Sequence, residues 1–238
     1  MSATSSTSTT SSSSISSTNW LNHVEQHIRE ELSTPNSRQR PLLVGICGIP
    51  GSGKSVSSNL LYKALEDVGC MILPADGYHF RRDELTPEMM WRRGAPDTFD
   101  AQGLVRDLQR LRNGNEARIL FPGFEHADGD PRPNQHEFVR AKHRVVICEG
   151  LYLLHKANGF ESIDSLLDWT LFVDAPLDTC LDRLKERNRC IPGYEDDVVK
   201  LCRRIDSVDR VNAEIVQETR RRANFIVPVD EVLALQKQ

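Results

Sequence analysis

An α/β fold, with a mainly parallel sheet, flanking helices and a lid, is what this sequence predicts, and three observations carry the prediction. Short apolar runs alternate with helical patterns from Pro41 to Val227, which demands right-handed crossovers and a parallel sheet. The first run, Leu42-Leu43-Val44-Gly45-Ile46-Cys47, leads into Gly48-Ile49-Pro50-Gly51-Ser52-Gly53-Lys54-Ser55 and then a helical pattern beginning at Val56. That is the strand–loop–helix context of a phosphate-binding P-loop. Finally, Asp76 and Glu149 arrive at the ends of two further apolar runs, on the side where parallel sheets hold their ligands.

In chain order, residues 1–18 are almost all Ser, Thr and Ala, with Ile15 the one large apolar residue after Met1. This tract is expected to be a disordered tail, and 19–238 a single domain. It has no hydrophobic core for a secretory signal, and Arg29 is the first Arg or Lys, so a mitochondrial presequence is not expected either. Asn19 can cap a helix whose Trp20, Leu21, Val24, Ile28 and Leu32 share one face, ending before Pro35. After the P-loop, Leu60, Leu61, Ala64, Leu65 and Val68 continue the helical spacing from Val56, with Gly69 as the stop. Cys70-Met71-Ile72-Leu73 reads as a buried strand. The polar section from Arg81 to Asp100 reads as a lid or substrate loop, with a short helix near Glu88 to Trp91.

Leu104, Val105, Leu108 and Leu111 define a further helix ended by Gly114. From Phe121 to Glu137 the density of Pro and Gly predicts a loop or short edge strand. Val145-Val146-Ile147-Cys148 is a strand that delivers Glu149, and Trp169 to Val173 one that delivers Asp174. A helix is predicted from about Leu177, a long one from Tyr194 to Arg221, and a last strand at Ala223 to Val227.

A net charge of −4 supplies no field that would gather nucleic acid or an anionic membrane. No segment approaches the length of a membrane span. The six cysteines show no C-x-x-C spacing and read as thiols of a reducing compartment, the cytoplasm. A small-molecule partner fits best, and association as a homodimer stays open.

The P-loop residues 48–55, with Val56, are expected to wrap a polyphosphate in backbone N–H groups. Lys54 reaches its outer phosphates, and Ser55 offers a hydroxyl to Mg²⁺. Glu149 is placed to support the same metal. Asp76 is placed to take a proton from an acceptor hydroxyl. Arg183 and Arg187 are four residues apart, share one helix face, and can close over the phosphates.

These pieces resemble the uridine kinase, phosphoribulokinase and bacterial-type pantothenate kinase group, which has the P-loop nucleoside triphosphate hydrolase fold. The resemblance rests on the P-loop, Asp76-Gly77-Tyr78-His79-Phe80, Gly94 to Asp100, Pro122-Gly123-Phe124-Glu125-His126, Val146 to Leu154, and Arg203 to Asn212. The segment from Pro96 to Asp100 looks most like the pantothenate kinase branch and its uridine kinase-like relatives. The resemblance implies that Asp76 is the general base, Glu149 the acid near the metal, and Arg183 and Arg187 part of the lid. It further implies that Tyr78, His79, Arg92, Arg93, Phe124 and His126 border the acceptor pocket. Phe124 departs from the aromatic hydroxyl of pantothenate kinases, and Gly94 to Asp100 departs from uridine kinases.

The expected activity is therefore ATP- and Mg²⁺-dependent transfer of the γ-phosphate to an alcohol. A nucleoside such as uridine is the first choice of acceptor, pantothenate the second, and a sugar remains open. The reading from another class is a regulatory protein that binds nucleotide and transfers nothing.

Overall fold

Asn19 turns the chain into its first helix, its side chain accepting a hydrogen bond from the Asn22 amide at 3.0 Å and so satisfying one of the four free N–H groups of a helix start. The computed structural model describes residues 19–34, 40–125, 128–189, 194 and 197–236. The tail expected at 1–18 lies outside the described residues. Helix α1 (Trp20–Ser33) buries Trp20, Val24 and Ile28, as its spacing predicts.

Strand β1 (Leu42–Gly48) is buried along its whole length and leads through the P-loop into α2 (Lys54–Ala64). Gly69 does not stop this helix. The α-helix ends at Ala64, a 3₁₀ turn fills Glu66–Val68, and Gly69 closes that turn instead. Strand β2 (Cys70–Pro74) follows, then the short α3 (Pro87–Trp91) and α4 (Ala101–Asn113), capped by the Asp100 side chain on the Gly103 amide at 2.8 Å.

The section from Phe121 to Glu137, expected as a loop or short edge strand, belongs to an antiparallel ribbon of two longer strands, β3 (Arg118–Glu125) and β4 (Asp130–Val139). Prolines mislead here because a two-stranded ribbon consists of edges, where a missing N–H costs little. Pro122 sits at the break in register between Phe121 and Gly123. The ribbon lies directly on the 3₁₀ turn Ala75–Tyr78: a side chain at Gly77 would stand 2.5 Å from the Pro122 carbonyl oxygen.

Strand β5 (Val145–Glu149), α5 (Ile163–Leu166), β6 (Trp169–Asp174) and α6 (Leu177–Asn188) come next. The long helix expected from Tyr194 to Arg221 begins only at Val198, where the Asp197 side chain caps Lys200 N at 2.8 Å. It runs as α7 (Val198–Arg204), a π-helical turn Ile205–Asp209, and α8 (Arg210–Gln217). Strand β7 (Phe225–Pro228) and α9 (Val229–Gln236) complete the chain, the last helix without a counterpart among the elements expected from sequence.

The sheet has the order β2-β5-β1-β6-β7 and is parallel throughout. Alternate residues of its strands feed two cores. Leu43, Leu73, Val146 and Phe172 face one side with α4 and the ribbon, whereas Val44, Ile46, Ile147 and Val173 face α1 and α2. Both faces are covered, which is why the strands read as continuous apolar runs. Among the described residues no helix is long and apolar enough to cross a membrane.

Candidate active site

The P-loop is a cradle that only glycine can build. Gly51 has φ of +80°, and a Cβ there would lie 2.6 Å from the Cys180 carbonyl oxygen of α6. Gly53 caps α2 with no side-chain hydrogen bond to the helix N-terminus, leaving first-turn N–H groups for an anion. The Ser52 hydroxyl is buried and lacks a hydrogen-bond partner among the described residues. Lys54 Nζ folds back to the Ile49 carbonyl at 3.3 Å. Ile49 is buried in the core, and Val56 packs against the other core. A Gly51→Ala variant is expected to lose ATP affinity by at least about a hundredfold, because left-handed backbone and a sub-contact approach coincide there; isothermal titration with ATP measures it.

Beside the loop, Ser55 Oγ donates to Glu149 Oε1 at 2.8 Å and Ser58 Oγ to Oε2 at 3.2 Å. Burial pushes the Glu149 carboxyl above its ordinary range, against the pull of Lys54 and the Ser55 hydroxyl, while the charge of Asp76 adds to the rise. The Ser55 hydroxyl and Glu149 carboxylate are hard oxygen donors suited to Mg²⁺, which keeps several waters and takes the rest of its shell from phosphates. Among the described residues no cluster of three or more His, Cys, Asp or Glu could hold a metal on its own. This donor set therefore fits an ion that arrives with a nucleotide.

Register explains why Asp76 stands here: Ile46 of β1 and Pro74 of β2 both pair with Glu149 of β5, so the 3₁₀ turn after β2 opens beside that residue. Asp76 is half-buried there. Its carbonyl accepts from His79 N at 3.2 Å and lies 2.9 Å from His79 Nδ1, which assigns the proton to Nδ1. Burial lowers the His79 pKa, against the charge of Asp76. The His79 ring lies 5.0 Å from Phe124 and 3.9 Å from Phe99 between centroids.

A single cavity of about 1080 Å³ joins these parts, lined by Pro50, Ser55, Asp76 and Glu149 and also by His79, Arg93 and Phe124. Arg187 lines it from α6, and Arg183 donates to the Gly51 carbonyl at 3.1 Å. Two expected pocket residues stand elsewhere. Tyr78 is 5% exposed and turns into the core, its hydroxyl donating to Asp107 Oδ2 at 2.8 Å. Arg92 is in a bidentate pair with Asp97 outside the cavity wall. His126 lies outside the described residues. Arg204, Asp209, Asn212 and His136 also line the cavity, although no local pattern marks them for an individual role; the helical spacing of α7 and α8 makes charged residues there look solvated.

A glycine cradle on an uncapped helix, a lysine within it, and a hydroxyl–carboxylate pair at the adjacent strand end define a P-loop nucleotide-binding protein. Comparison with known proteins narrows this. A family model described as an AAA domain matches residues 44–201, and the chain belongs to this family of P-loop proteins, within the uridine kinase and phosphoribulokinase-like group of kinases. It is 34% identical over 161 residues to the ATP-dependent kinase-like protein notR′ of Aspergillus versicolor, covering 64% of this chain and 92% of that one. To the uridine kinase of Clostridium novyi (strain NT) it is 29% identical over 197 residues, 79% of this chain and 88% of the relative. A crystal structure from Silicibacter sp. TM1040, provisionally named a fructose transport system kinase, superposes with a TM-score of 0.76 at 29% identity, covering 87% of this chain and 98% of that one.

Proposed function

We propose that the protein is an ATP- and Mg²⁺-dependent kinase that transfers the γ-phosphoryl group to a hydroxyl of a small metabolite, a nucleoside before pantothenate or a sugar. The observation that carries this reading is the meeting of Asp76 and Glu149 with the P-loop in one cavity. An NTPase that uses water has less need of a second carboxylate beside its phosphate site.

In this reading the P-loop amides and Lys54 hold the phosphates, and Arg187 meets charge developing on the transferred group. Arg183, bonded to the Gly51 carbonyl, steadies the loop from α6. Ser55 and Glu149 would hold Mg²⁺, which when bound neutralises phosphate charge. Asp76 takes the acceptor proton as the acceptor oxygen bonds to the γ-phosphorus. The bond from that phosphorus to the bridging oxygen breaks, and ADP leaves with the electron pair. His79 and Phe124 wall the acceptor. Positioning and electrostatics supply most of the rate.

Cytoplasmic residence suits the free thiols at Cys47, Cys70, Cys148, Cys180 and Cys202. A panel of alcohols assayed with γ-labelled ATP tests the reading: label is expected to move to at least one nucleoside, sugar or pantothenate. ATP hydrolysis indifferent to every acceptor counts against it, as does nucleotide-dependent partner binding without turnover.

A further inference from the structure

The 3₁₀ turn Ala75–Tyr78 carries Asp76, and whatever fixes that turn decides where the carboxylate points. Asp76 bonds to its neighbours through its carbonyl, which His79 N and Nδ1 both approach. Among the described residues no hydrogen bond or ion pair holds its carboxylate. The aim of that group is therefore set by the turn rather than by adjoining side chains.

The turn is gripped from two sides. On one, the β3–β4 ribbon closes on Gly77, where a Cβ would stand 2.8 Å from the Pro122 carbonyl carbon. On the other, the Tyr78 carbonyl accepts from Asp100 N at 2.7 Å, and the Tyr78 hydroxyl reaches α4 to donate to Asp107 Oδ2 at 2.8 Å. Ala75 and Gly77 have no polar side chain, so this is the turn's only side-chain hydrogen bond among the described residues.

Asp107 is itself held. Its Oδ1 accepts from Arg110 Nη1 at 2.8 Å, one helical turn along α4, and Arg110 grips Glu116 through Nε at 2.9 Å and Nη2 at 2.7 Å. The Arg110 and Glu116 side chains are 39% and 42% exposed, that of Asp107 only 15%, and Tyr78 lies in the core. The chain of bonds thus runs from solvent inward to the turn. Burial raises the Tyr78 pKa, and the charge of Asp107 adds to the rise, so the phenol remains the donor. A buried hydroxyl is costly unless it is bonded, and phenylalanine would fill the same space without that cost. What the hydroxyl adds is a fixed direction and distance between the turn and α4.

We propose that Tyr78 and Asp107 are positioning residues for phosphoryl transfer: the bond between them seats the Ala75–Tyr78 turn on α4 and so aims the Asp76 carboxylate at the acceptor hydroxyl. Neither residue lines the cavity. Both act through Asp76, and the assignment rests on the reading of Asp76 as the base. Without the hydroxyl the ring still packs but the turn can shift, and a misplacement of about 1 Å costs about a hundredfold in rate.

The test measures kcat and KM for transfer from γ-labelled ATP to an alcohol of the panel above that takes label. It compares the full chain with Tyr78→Phe, Asp107→Asn, their double variant, and each single variant combined with Asp76→Asn. Tyr78→Phe is expected to lower kcat by about tenfold to a hundredfold while KM for ATP holds. Asp107→Asn, which offers one acceptor oxygen to two donors, is expected to act alike. The double variant should be no slower than the slower single one, because both substitutions remove one interaction. With Asp76→Asn in place, either substitution is expected to cost less than about twofold, since no base is left to aim. Equal losses with and without Asp76→Asn would make the bond merely structural and overturn the inference. Additive losses from Tyr78→Phe and Asp107→Asn overturn it too, as does an unchanged kcat in folded Tyr78→Phe. If Tyr78→Phe does not fold, Asp107→Asn decides by its losses in the two backgrounds. An Asp76→Asn protein as active as the parent brings down the assignment of Asp76 and this one with it, and a panel in which nothing takes label brings down the kinase reading and both.

Discussion

Replacing Asp76 with asparagine is expected to lower phosphoryl transfer by about a hundredfold to ten-thousandfold, the range for loss of a positioned general base, while ATP still binds. The side chain sits in the turn after β2, beside Glu149 and within the cavity that the P-loop opens. Asparagine preserves the shape and polarity of that turn but cannot accept the proton of an attacking hydroxyl. The turn itself is held by backbone bonds, including His79 N to the Asp76 carbonyl, so the substitution leaves local structure in place. The expected signature is a fall in kcat with little change in ATP affinity, read by rapid-quench transfer and by titration with ATP. Unchanged kcat would remove Asp76 as the base, whatever the acceptor.

The parts of this site legible in the sequence are those whose chemistry coincides with a local pattern. The P-loop joins an apolar strand to a helix over one contiguous stretch, and Glu149 comes after four apolar residues of a buried strand. In both, strand direction alone says where the side chain goes. Tyr78 is misplaced by adjacency: only two residues beyond Asp76, it points from the same 3₁₀ turn into the core toward Asp107. Neighbours in a tight turn face different directions, and a pattern of letters does not carry that rotation. Asp209 is hidden for a related reason. A π turn adds a residue to the helical repeat, rotating the next residues by about 100° relative to a regular helix, and that Asp209 faces the cavity does not follow from regular helical spacing. The ribbon is obscured because prolines count against a strand only when the strand needs two partners.

Glu149→Gln should separate stability from activity in opposite directions. Burial dominates the environment of this carboxyl and raises its pKa, so the folded chain holds the proton more tightly than the unfolded chain does. Stability from this group is therefore fully present below the ordinary carboxylate pKa and is lost as pH rises through the raised value. Once ionised, Glu149 carries a burial cost that Lys54, Ser55 and Ser58 offset only in part. Glutamine removes the charge and keeps an oxygen for the serine hydroxyls, so the nucleotide-free variant should melt at higher temperature than the parent at neutral pH. Its melting temperature should also vary less as pH rises from the ordinary carboxylate range, because the group whose pKa is raised in the folded chain is gone. Transfer should fall by about a hundredfold to a thousandfold, the effect of removing one preorganised electrostatic group. ATP with Mg²⁺ should then raise the melting temperature of the variant less than that of the parent, because stabilisation by a ligand tracks its affinity. Thermal unfolding with and without Mg²⁺-ATP, across that rise in pH, measures all three melting shifts in one series. A nucleotide-free variant less stable than the parent at neutral pH would mean that the attraction to Lys54 outweighs the burial of Glu149, and that its carboxylate is a structural anchor of the P-loop rather than a charge held ready for the metal.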